Sequence, residues 1–156
     1  MIVVLAAVLA LVTPAQTQGS GPFSDLAGNW TGGGSLKIGN NAEESIRCRA
    51  QYRVGSNGAT ASIELRCASD SYKFELQSNV RYQNGEVRGD WSEKTRGAAG
   101  MIVGSIKGDR VAVRVEGQTF SALLSLTTRG DKQSIAITAP VGSEMSEAKI
   151  TLNRRG

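Results

Sequence analysis

The 156-residue sequence contains no histidine. Histidine is the commonest general base and metal ligand near neutral pH, so its absence excludes Ser-His and Cys-His nucleophiles and histidine-based metal centres. The glycines Gly32, Gly33 and Gly34 are not followed by Lys-Ser or by a helical pattern, which excludes a phosphate-binding loop. Pairs of carboxylates could still act as a general acid and a general base. We nevertheless expect a protein that is not an enzyme and that holds no cofactor and no metal.

Cysteine, proline and aromatic residues are also scarce. The sequence has two cysteines, three prolines and 5% aromatic residues, against 19 glycines. Many glycines with few prolines suit tight turns and bent strands and do not suggest a disordered linker. No Cys-x-x-Cys motif is present, so a redox-active pair is not indicated.

The one apolar run, residues 2–12, is too short to cross a bilayer as a helix. It has the character of a signal peptide cleaved near Ala15 or Thr17, although no Lys or Arg precedes it. We expect a signal peptide over 1–17, a flexible lead-in over 18–25 and one domain over 26–156. The protein would be periplasmic or secreted, with no transmembrane segment in the mature chain. An N-terminal membrane anchor is the alternative.

The strongest local signal is a hairpin that turns at Asn57-Gly58, a dipeptide that favours a type I′ turn. Folding the chain about this turn brings apolar residues onto one face and polar residues onto the other. It also places Cys48 opposite Cys67, which predicts a disulfide in an oxidising compartment. A bridge across so short a loop contributes about 3 kcal/mol to stability.

Three further turns, at Asn84-Gly85, Gly108-Asp109 and Gly130-Asp131, predict hairpins in the same way. The opposed residues include Tyr82 with Val87, Ile102 with Val115, and Leu126 with Ile135. In total the sequence predicts about ten short strands, with no helical periodicity after the signal peptide. Ten antiparallel strands rarely stay open and flat, so we predict an all-β fold, an antiparallel up-and-down β-barrel. A two-sheet sandwich is the alternative.

Both ends of the predicted domain carry a family resemblance. Gly28-x-Trp30 at the start of the first strand, with Arg154 or Arg155 near the end, resembles the lipocalin and calycin pattern. In that family the Trp closes the barrel floor and the late Arg packs across it. The runs IRCR (46–49) and LRCASDSY (65–72) resemble those of small exported bacterial β-barrel proteins of unknown function. These likenesses imply a lipocalin-like meander and export, and no activity.

Five aromatic residues fall on the predicted inward face: Trp30, Tyr52, Phe74, Tyr82 and Trp91. They either line a cavity for a small apolar ligand or fill the barrel as core. The two-residue alternation of the strand also places Glu93 on the inward face, and a buried carboxylate needs a hydrogen-bonding or charged partner. We expect Glu93 at the barrel mouth, paired with Lys94 or Arg96. A second acid within its reach would instead favour an enzyme.

Three hairpins oppose basic residues on the outer face, although the formal net charge is only +4. Like charges directly opposite are mildly destabilising. The pairs are Arg49 with Arg66, Arg81 with Arg88, and Lys107 with Arg110. They form either a stripe for an anionic envelope component, such as lipid headgroups or lipopolysaccharide, or solvated side chains relieved by nearby acids. A nucleic acid partner is not expected, because no exposed aromatics are interleaved with these basic residues.

The expected function is therefore a non-enzymatic binding protein. It would hold a small apolar ligand inside the barrel or an anionic envelope component on its basic outer face. Small exported barrels that resemble this one, with Gly-x-Trp and one disulfide, include bacterial inhibitors of secreted proteases. These inhibitors insert a flexible N-terminal segment into the enzyme, here residues 16–25. An inhibitor acting on a protein partner is the alternative.

Overall fold

The structure, a computed structural model, describes residues 20–39 and 43–156. These residues form ten strands after a short 3-10 helix, Ser24–Leu26. The strands are β1 (Gly28–Ile38), β2 (Glu43–Val54), β3 (Thr60–Ala68), β4 (Lys73–Gln83), β5 (Glu86–Glu93), β6 (Ala98–Lys107), β7 (Arg110–Gly117), β8 (Ser121–Arg129), β9 (Lys132–Thr138) and β10 (Met145–Arg154). Each strand pairs antiparallel with its neighbours in sequence, and β1 pairs with β10. The predicted up-and-down β-barrel is confirmed.

The predicted hairpin registers are confirmed as well. The observed pairs include Cys48–Cys67, Tyr82–Val87, Ile102–Val115 and Leu126–Ile135. The two cysteines form the predicted disulfide, at a sequence separation of 19. Because the side-chain period of a strand is two residues, these registers turn the apolar set of every hairpin toward the barrel interior.

The turn of the cysteine hairpin differs from the type I′ turn predicted at Asn57-Gly58. A type I′ turn needs positive φ at both central residues, and of these two only Gly58 has it, at 68°. The N–H of Gly58 donates to the carbonyl of Gly55 at 2.8 Å, and the N–H of Gly55 donates to Thr60 at 2.9 Å. The loop is thus wider than two residues. It stays centred on the same dipeptide, which is why the register is still correct.

Barrel closure depends on glycines in β1. A Cβ at Gly32 would collide with the carbonyl oxygen of Thr151, and a Cβ at Gly34 with that of Lys149. The missing side chains let the first and last strands approach each other. The sheet therefore closes on itself, which leaves no unpaired edge.

One end of the barrel, here called the floor, is covered by the segment before β1. The N–H groups of Gly21 and Phe23 donate to the carbonyls of Asn57 and Gly58 at 3.0 and 2.9 Å. The side chain of Phe23 is only 1% exposed. Residues 20–25 of the expected lead-in are described, whereas the expected signal peptide, 1–17, lies outside the described residues and stays a prediction.

Trp30 and Arg154 complete the floor. Trp30 is fully buried and donates its indole N–H to the carbonyl of Leu26 at 2.9 Å. The guanidinium of Arg154 lies 4.3 Å from the centre of the Trp30 ring and pairs with Asp131 at 3.0 Å. It also donates to the carbonyls of Asp25 and Ala27. Of the two arginines that the lipocalin resemblance proposed, Arg154 is the one that packs across the Trp.

Replacing Phe23 with Ala should lower the free energy of unfolding by about 3–5 kcal/mol, because it empties a buried aromatic site in the floor. Urea denaturation followed by circular dichroism would measure this change. Leu123→Ala is the control, since Leu123 is 60% exposed on the outer face and should change stability by less than about 0.5 kcal/mol. Equally small effects of the two variants would contradict the assigned role of Phe23.

Candidate ligand-binding site

The end opposite the floor, here called the mouth, opens into a cavity. The loops that connect β3 to β4, β5 to β6, β7 to β8 and β9 to β10 surround it. The cavity has a volume of about 340 Å³, which is within the range of small-molecule pockets. Its wall is mostly apolar and includes Leu65, Leu76, Val115, Ala122, Leu124 and Ile137. We call this space the mouth cavity.

A second, smaller space lies between the mouth cavity and the floor. Its volume is about 80 Å³, and Phe23 and Leu26 of the floor contribute to its lining. Four side chains line both spaces: Leu65, Leu76, Val115 and Leu124. The smaller space, here called the inner compartment, therefore adjoins the mouth cavity inside the barrel.

The five aromatic residues of the predicted inward face separate into different roles. Phe74 and Trp91 line the mouth cavity, and Tyr52 lines the inner compartment. Trp30 belongs to the floor, and Tyr82, partly buried, lines neither space. The set is therefore divided between cavity walls and floor, and a role of these residues in ligand binding stays a prediction.

Tyr52 also belongs to a buried polar chain. Its hydroxyl donates to Oε1 of the fully buried Gln133 at 2.7 Å, and Nε2 of Gln133 donates to the hydroxyl of Thr128 at 3.1 Å. Burial raises the pKa of Tyr52, although the hydrogen bond to Gln133 acts in the opposite direction. The phenol is therefore protonated, and its hydrogen is used in the hydrogen bond to Gln133.

Trp91 is positioned by glycines on the neighbouring strands. Trp91 on β5 pairs with Gly100 on β6. A Cβ at Gly117, on β7, would come within 2.8 Å of the indole ring of Trp91. Its indole N–H donates to the carbonyl of Glu116 at 3.2 Å, and its ring meets Phe120 edge-on at 5.8 Å. The missing side chains of these glycines leave room for the indole, which forms part of the wall of the mouth cavity.

Glu93 lies at the mouth with its carboxylate satisfied. Its Oε1 accepts hydrogen bonds from the N–H of Glu75 at 2.8 Å and from the hydroxyl of Thr95 at 2.6 Å, and its Oε2 accepts from the N–H of Arg96 at 2.8 Å. Burial opposes ionisation of this group, but the hydrogen bonds outweigh it and lower the pKa of Glu93. The guanidinium of Arg96 lies 3.8 Å away, so the predicted pairing at the mouth is confirmed.

Arg96 ties three mouth loops together. Its Nε and Nη2 donate to the carboxylate of Glu144 at 2.8 and 3.2 Å, and its Nη1 donates to the carbonyl of Lys73 at 2.9 Å. Its guanidinium also stacks 4.1 Å from the centre of the Tyr72 ring. The hydrogen bond from Arg96 lowers the pKa of Glu144. Among the described residues, the lining of the mouth cavity therefore includes two carboxylates and one guanidinium.

The sequence did not identify Tyr72, Phe120 and Glu144 as lining residues. All three lie in loops, where the two-residue alternation of a strand gives no direction for a side chain. The available signal was the occurrence of aromatic residues beside the turns, at Tyr72 and Phe120.

The basic pairs on the outer face have the predicted registers but lie apart. Arg66 faces Glu75, which is six residues from Arg81 on β4, about 20 Å along the strand. Some of the charge is also relieved, because Arg66 lies 4.0 Å from Glu75 and Arg88 lies 2.9 Å from Glu86. The Arg49–Arg66 and Arg81–Arg88 pairs are therefore separated along the strands, and binding of an anionic partner to these residues stays a prediction.

Basic residues gather instead around one shallow hollow on the outside of β1 to β4. The members of this basic hollow are Arg47, Arg49, Arg66, Lys73 and Arg155, and Glu75 is the acidic residue among them. Within residues 20–39 and 43–156, no three or more acidic or cysteine side chains are arranged as a metal site. In the same residues no helix is long and apolar enough to span a membrane.

Glu93→Gln should destabilise the protein at neutral pH by about 1–3 kcal/mol, because an amide cannot accept all the hydrogen bonds that converge on the carboxylate. The pKa of Glu93 is lowered on folding from an ordinary 4.5. Its ionised form thus stabilises the fold above that pH, and this stabilisation is lost as the pH falls through the folded pKa. Urea denaturation at several pH values from neutral to about pH 3 should show that the difference in the free energy of unfolding between wild type and variant becomes smaller as the pH falls.

The control for this experiment is Glu116→Gln. Glu116 is exposed and meets Arg114 at 3.4 Å, so its replacement should change stability by less than about 0.5 kcal/mol. A gap for Glu93→Gln that stays constant with pH would contradict the account of its carboxylate.

Comparisons with known proteins agree with the barrel. No protein-family model matches the sequence, and a search of curated protein sequences returns no match. Among solved structures, Rv2717c from M. tuberculosis is similar with a TM-score of 0.67 and 15% identity, over 85% of this chain and 94% of that one. The S-type phycobiliprotein lyase CPES from Guillardia theta is similar with a TM-score of 0.61 and 10% identity, over 86% and 90%. The chain has the same fold as these proteins, a lipocalin- or calycin-like β-barrel.

Proposed function

We propose that the protein is an exported, non-enzymatic binding protein that holds a small apolar ligand in the mouth cavity. The observation that carries this proposal is the cavity of about 340 Å³, which has mostly apolar walls and opens at one end of the barrel. The other end is closed by Phe23, Trp30 and Arg154. Such a cup removes an apolar molecule from water on all sides but one, which is the main driving force for its binding.

The mouth carboxylates support binding rather than catalysis. Glu93 and Glu144 both contact Arg96, so a second acid does lie near the inward Glu93. The pKa of each carboxylate is lowered, whereas hydrolysis by a carboxylate pair needs one group that stays protonated. The likeness to a phycobiliprotein lyase, at 10% identity, carries the fold and no reaction.

The disulfide supports export. A buried Cys48–Cys67 bridge persists in an oxidising compartment and is rare in a reducing cytosol. Together with the apolar run at residues 2–12, it favours a periplasmic or secreted protein whose signal peptide is removed near Ala15 or Thr17.

Ala122→Phe tests the proposal by filling the mouth cavity. Ala122 is buried and lines the cavity, so an added ring would occupy the space of the ligand. We expect the wild type to bind the neutral fluorophore N-phenyl-1-naphthylamine one-to-one and saturably, and we expect Ala122→Phe to weaken binding at least about tenfold. Fluorescence titration measures both.

Ala136→Phe is the matched control, because Ala136 is exposed on the outer face of β9 and the substitution is the same. It should bind the fluorophore as tightly as the wild type. Equal affinity of the two variants, or binding that does not saturate, would contradict a site in the mouth cavity.

The basic hollow supports a second candidate function, attachment to an anionic envelope surface. Five basic side chains surround this hollow, and Arg49 and Arg66 are directly opposed within it. Opposed like charges weaken a sheet, and an anionic partner would relieve the repulsion. Lipid headgroups supply such a charge at the envelope surface.

The double variant Arg49→Gln/Arg66→Gln tests this candidate in sedimentation with vesicles that contain phosphatidylglycerol. We expect the wild type to bind at low salt and the variant to lose most of that binding. Arg81→Gln/Arg88→Gln removes the same charge from another opposed pair, and this control variant should still bind the vesicles. Equal losses in both variants would mean attraction by net charge alone, and unchanged binding in both would rule out the basic hollow.

The protease-inhibitor alternative is less favoured. It needs a free N-terminal segment over residues 16–25, yet Gly21 and Phe23 are hydrogen-bonded to the floor, and Phe23 is buried. Insertion of this segment into an enzyme would require those contacts to break.

A further inference from the structure

Ser78, on β4, is a buried polar residue whose hydroxyl has no partner. It is 4% exposed, and its Oγ is the one buried side-chain polar atom without a hydrogen bond in the described part of the chain. Most buried polar groups in folded proteins are paired, and an unpaired one requires an explanation. Ser78 also lines the inner compartment, so its hydroxyl is next to an open space.

The surrounding barrel offers no partner for this hydroxyl. The cross-strand neighbours of Ser78 are Ile63 on β3 and Trp91 on β5. Ile63 has no polar side-chain atom, and the indole N–H of Trp91 is donated to the carbonyl of Glu116. On its own strand, the nearest side chains of the same face are Leu76 and Val80. Among the described residues these neighbours supply no partner, which leaves the hydroxyl available to a molecule bound in the interior.

A single water satisfies Ser78 poorly. Buried waters usually make about three hydrogen bonds, whereas the side chains that line the inner compartment are apolar except for Ser78 and Tyr52. The hydroxyl hydrogen of Tyr52 is already donated to Gln133. A polar atom that is carried by an apolar molecule needs only one partner, because the apolar walls hold the rest of the molecule.

The mouth indicates that such a molecule is uncharged. Arg96, the guanidinium of the mouth cavity, already donates to Glu144, to Lys73 and to the hydroxyl of Thr95. A ligand carboxylate would have to displace Glu144 and would face the ionised Glu93. A neutral ligand avoids both penalties.

We propose that the ligand is a neutral, elongated apolar molecule with one hydroxyl or carbonyl oxygen that reaches the inner compartment and hydrogen-bonds to Ser78. This inference rests on the proposed function of the interior as a ligand site. The mouth cavity and the inner compartment share four lining residues, so they adjoin, and the proposed molecule extends from one into the other. The apolar body fills the upper level, and the oxygen lies at the depth of Ser78.

Three probes of equal chain length test the inference: 1-octanol, octane and octanoate. Each is titrated against the bound neutral fluorophore, with wild type and with Ser78→Ala. We expect Ser78→Ala to weaken 1-octanol about three- to tenfold, the value of one hydrogen bond, and to leave octane unchanged. Octanoate should bind the wild type more weakly than 1-octanol at neutral pH.

Ser125→Ala is the matched control, because Ser125 points outward on β8 and the substitution removes the same hydroxyl group. It should change none of the three affinities. Ser78→Ala should also raise the urea midpoint of the free protein, because it removes an unpaired buried hydroxyl. This readout confirms that the variant is folded.

The possible results distinguish recognition of an oxygen by Ser78 from ligand binding in the barrel interior. If Ser78→Ala changes 1-octanol and octane by the same factor, or neither, the interior binds ligands but Ser78 does not recognise an oxygen, and the inference is wrong. If none of the probes displaces a fluorophore that binds the wild type saturably, the interior does not accept an elongated apolar molecule and the inference is wrong. If the fluorophore itself does not bind the wild type, the proposed function fails as well.

Discussion

The contact between Trp30 and Arg154 determines that this barrel is a cup rather than a tube. The guanidinium lies 4.3 Å from the indole ring and holds the carbonyls of Asp25 and Ala27, so the segment before β1 is drawn across the end of the sheet. Phe23 is thereby buried under the strands. Without this cover, water would reach the inner compartment from below, and an apolar interior of this size would have two openings.

An arginine stacks on an aromatic ring at both the floor and the mouth of the barrel, but the two arginines have different roles. At the mouth, Arg96 stacks on Tyr72 at 4.1 Å and pairs with Glu144. This arginine is 33% exposed and connects loops around the rim without covering the interior. A stacked arginine can satisfy carbonyls and carboxylates while its flat face packs on a ring. The result is a closed floor, a rim held in place and a cavity accessible between them.

The strand registers were predictable from the sequence because two local rules agree. Turn dipeptides such as Asn84-Gly85 fix the centre of each hairpin, and the two-residue alternation fixes which side chains face inward. The opposition of Cys48 and Cys67 follows from these rules, as does the inward parity of Trp91 and Ser78. Family resemblance proposed that Trp30 contacts Arg154 or Arg155, since residues so far apart in sequence share no local pattern, and the structure selects Arg154.

Other features could not be predicted because they depend on how distant strands are staggered. The separation of Arg66 from Arg81 depends on the tilt and register of β3 against β4, and the grouping of Arg155 with Arg49 depends on barrel closure. The mouth network of Tyr72, Arg96 and Glu144 lies in loops, whose conformations no alternation specifies. The unpaired state of Ser78 becomes visible only when every neighbour is known.

The proposed ligand site is the interior above the closed floor, which would hold a neutral apolar molecule. The most direct test is native mass spectrometry of the protein purified from an oxidising compartment without denaturing washes. The account predicts one reproducible adduct of a neutral molecule, which organic extraction removes while the Cys48–Cys67 disulfide stays intact. Identical masses before and after extraction would contradict it.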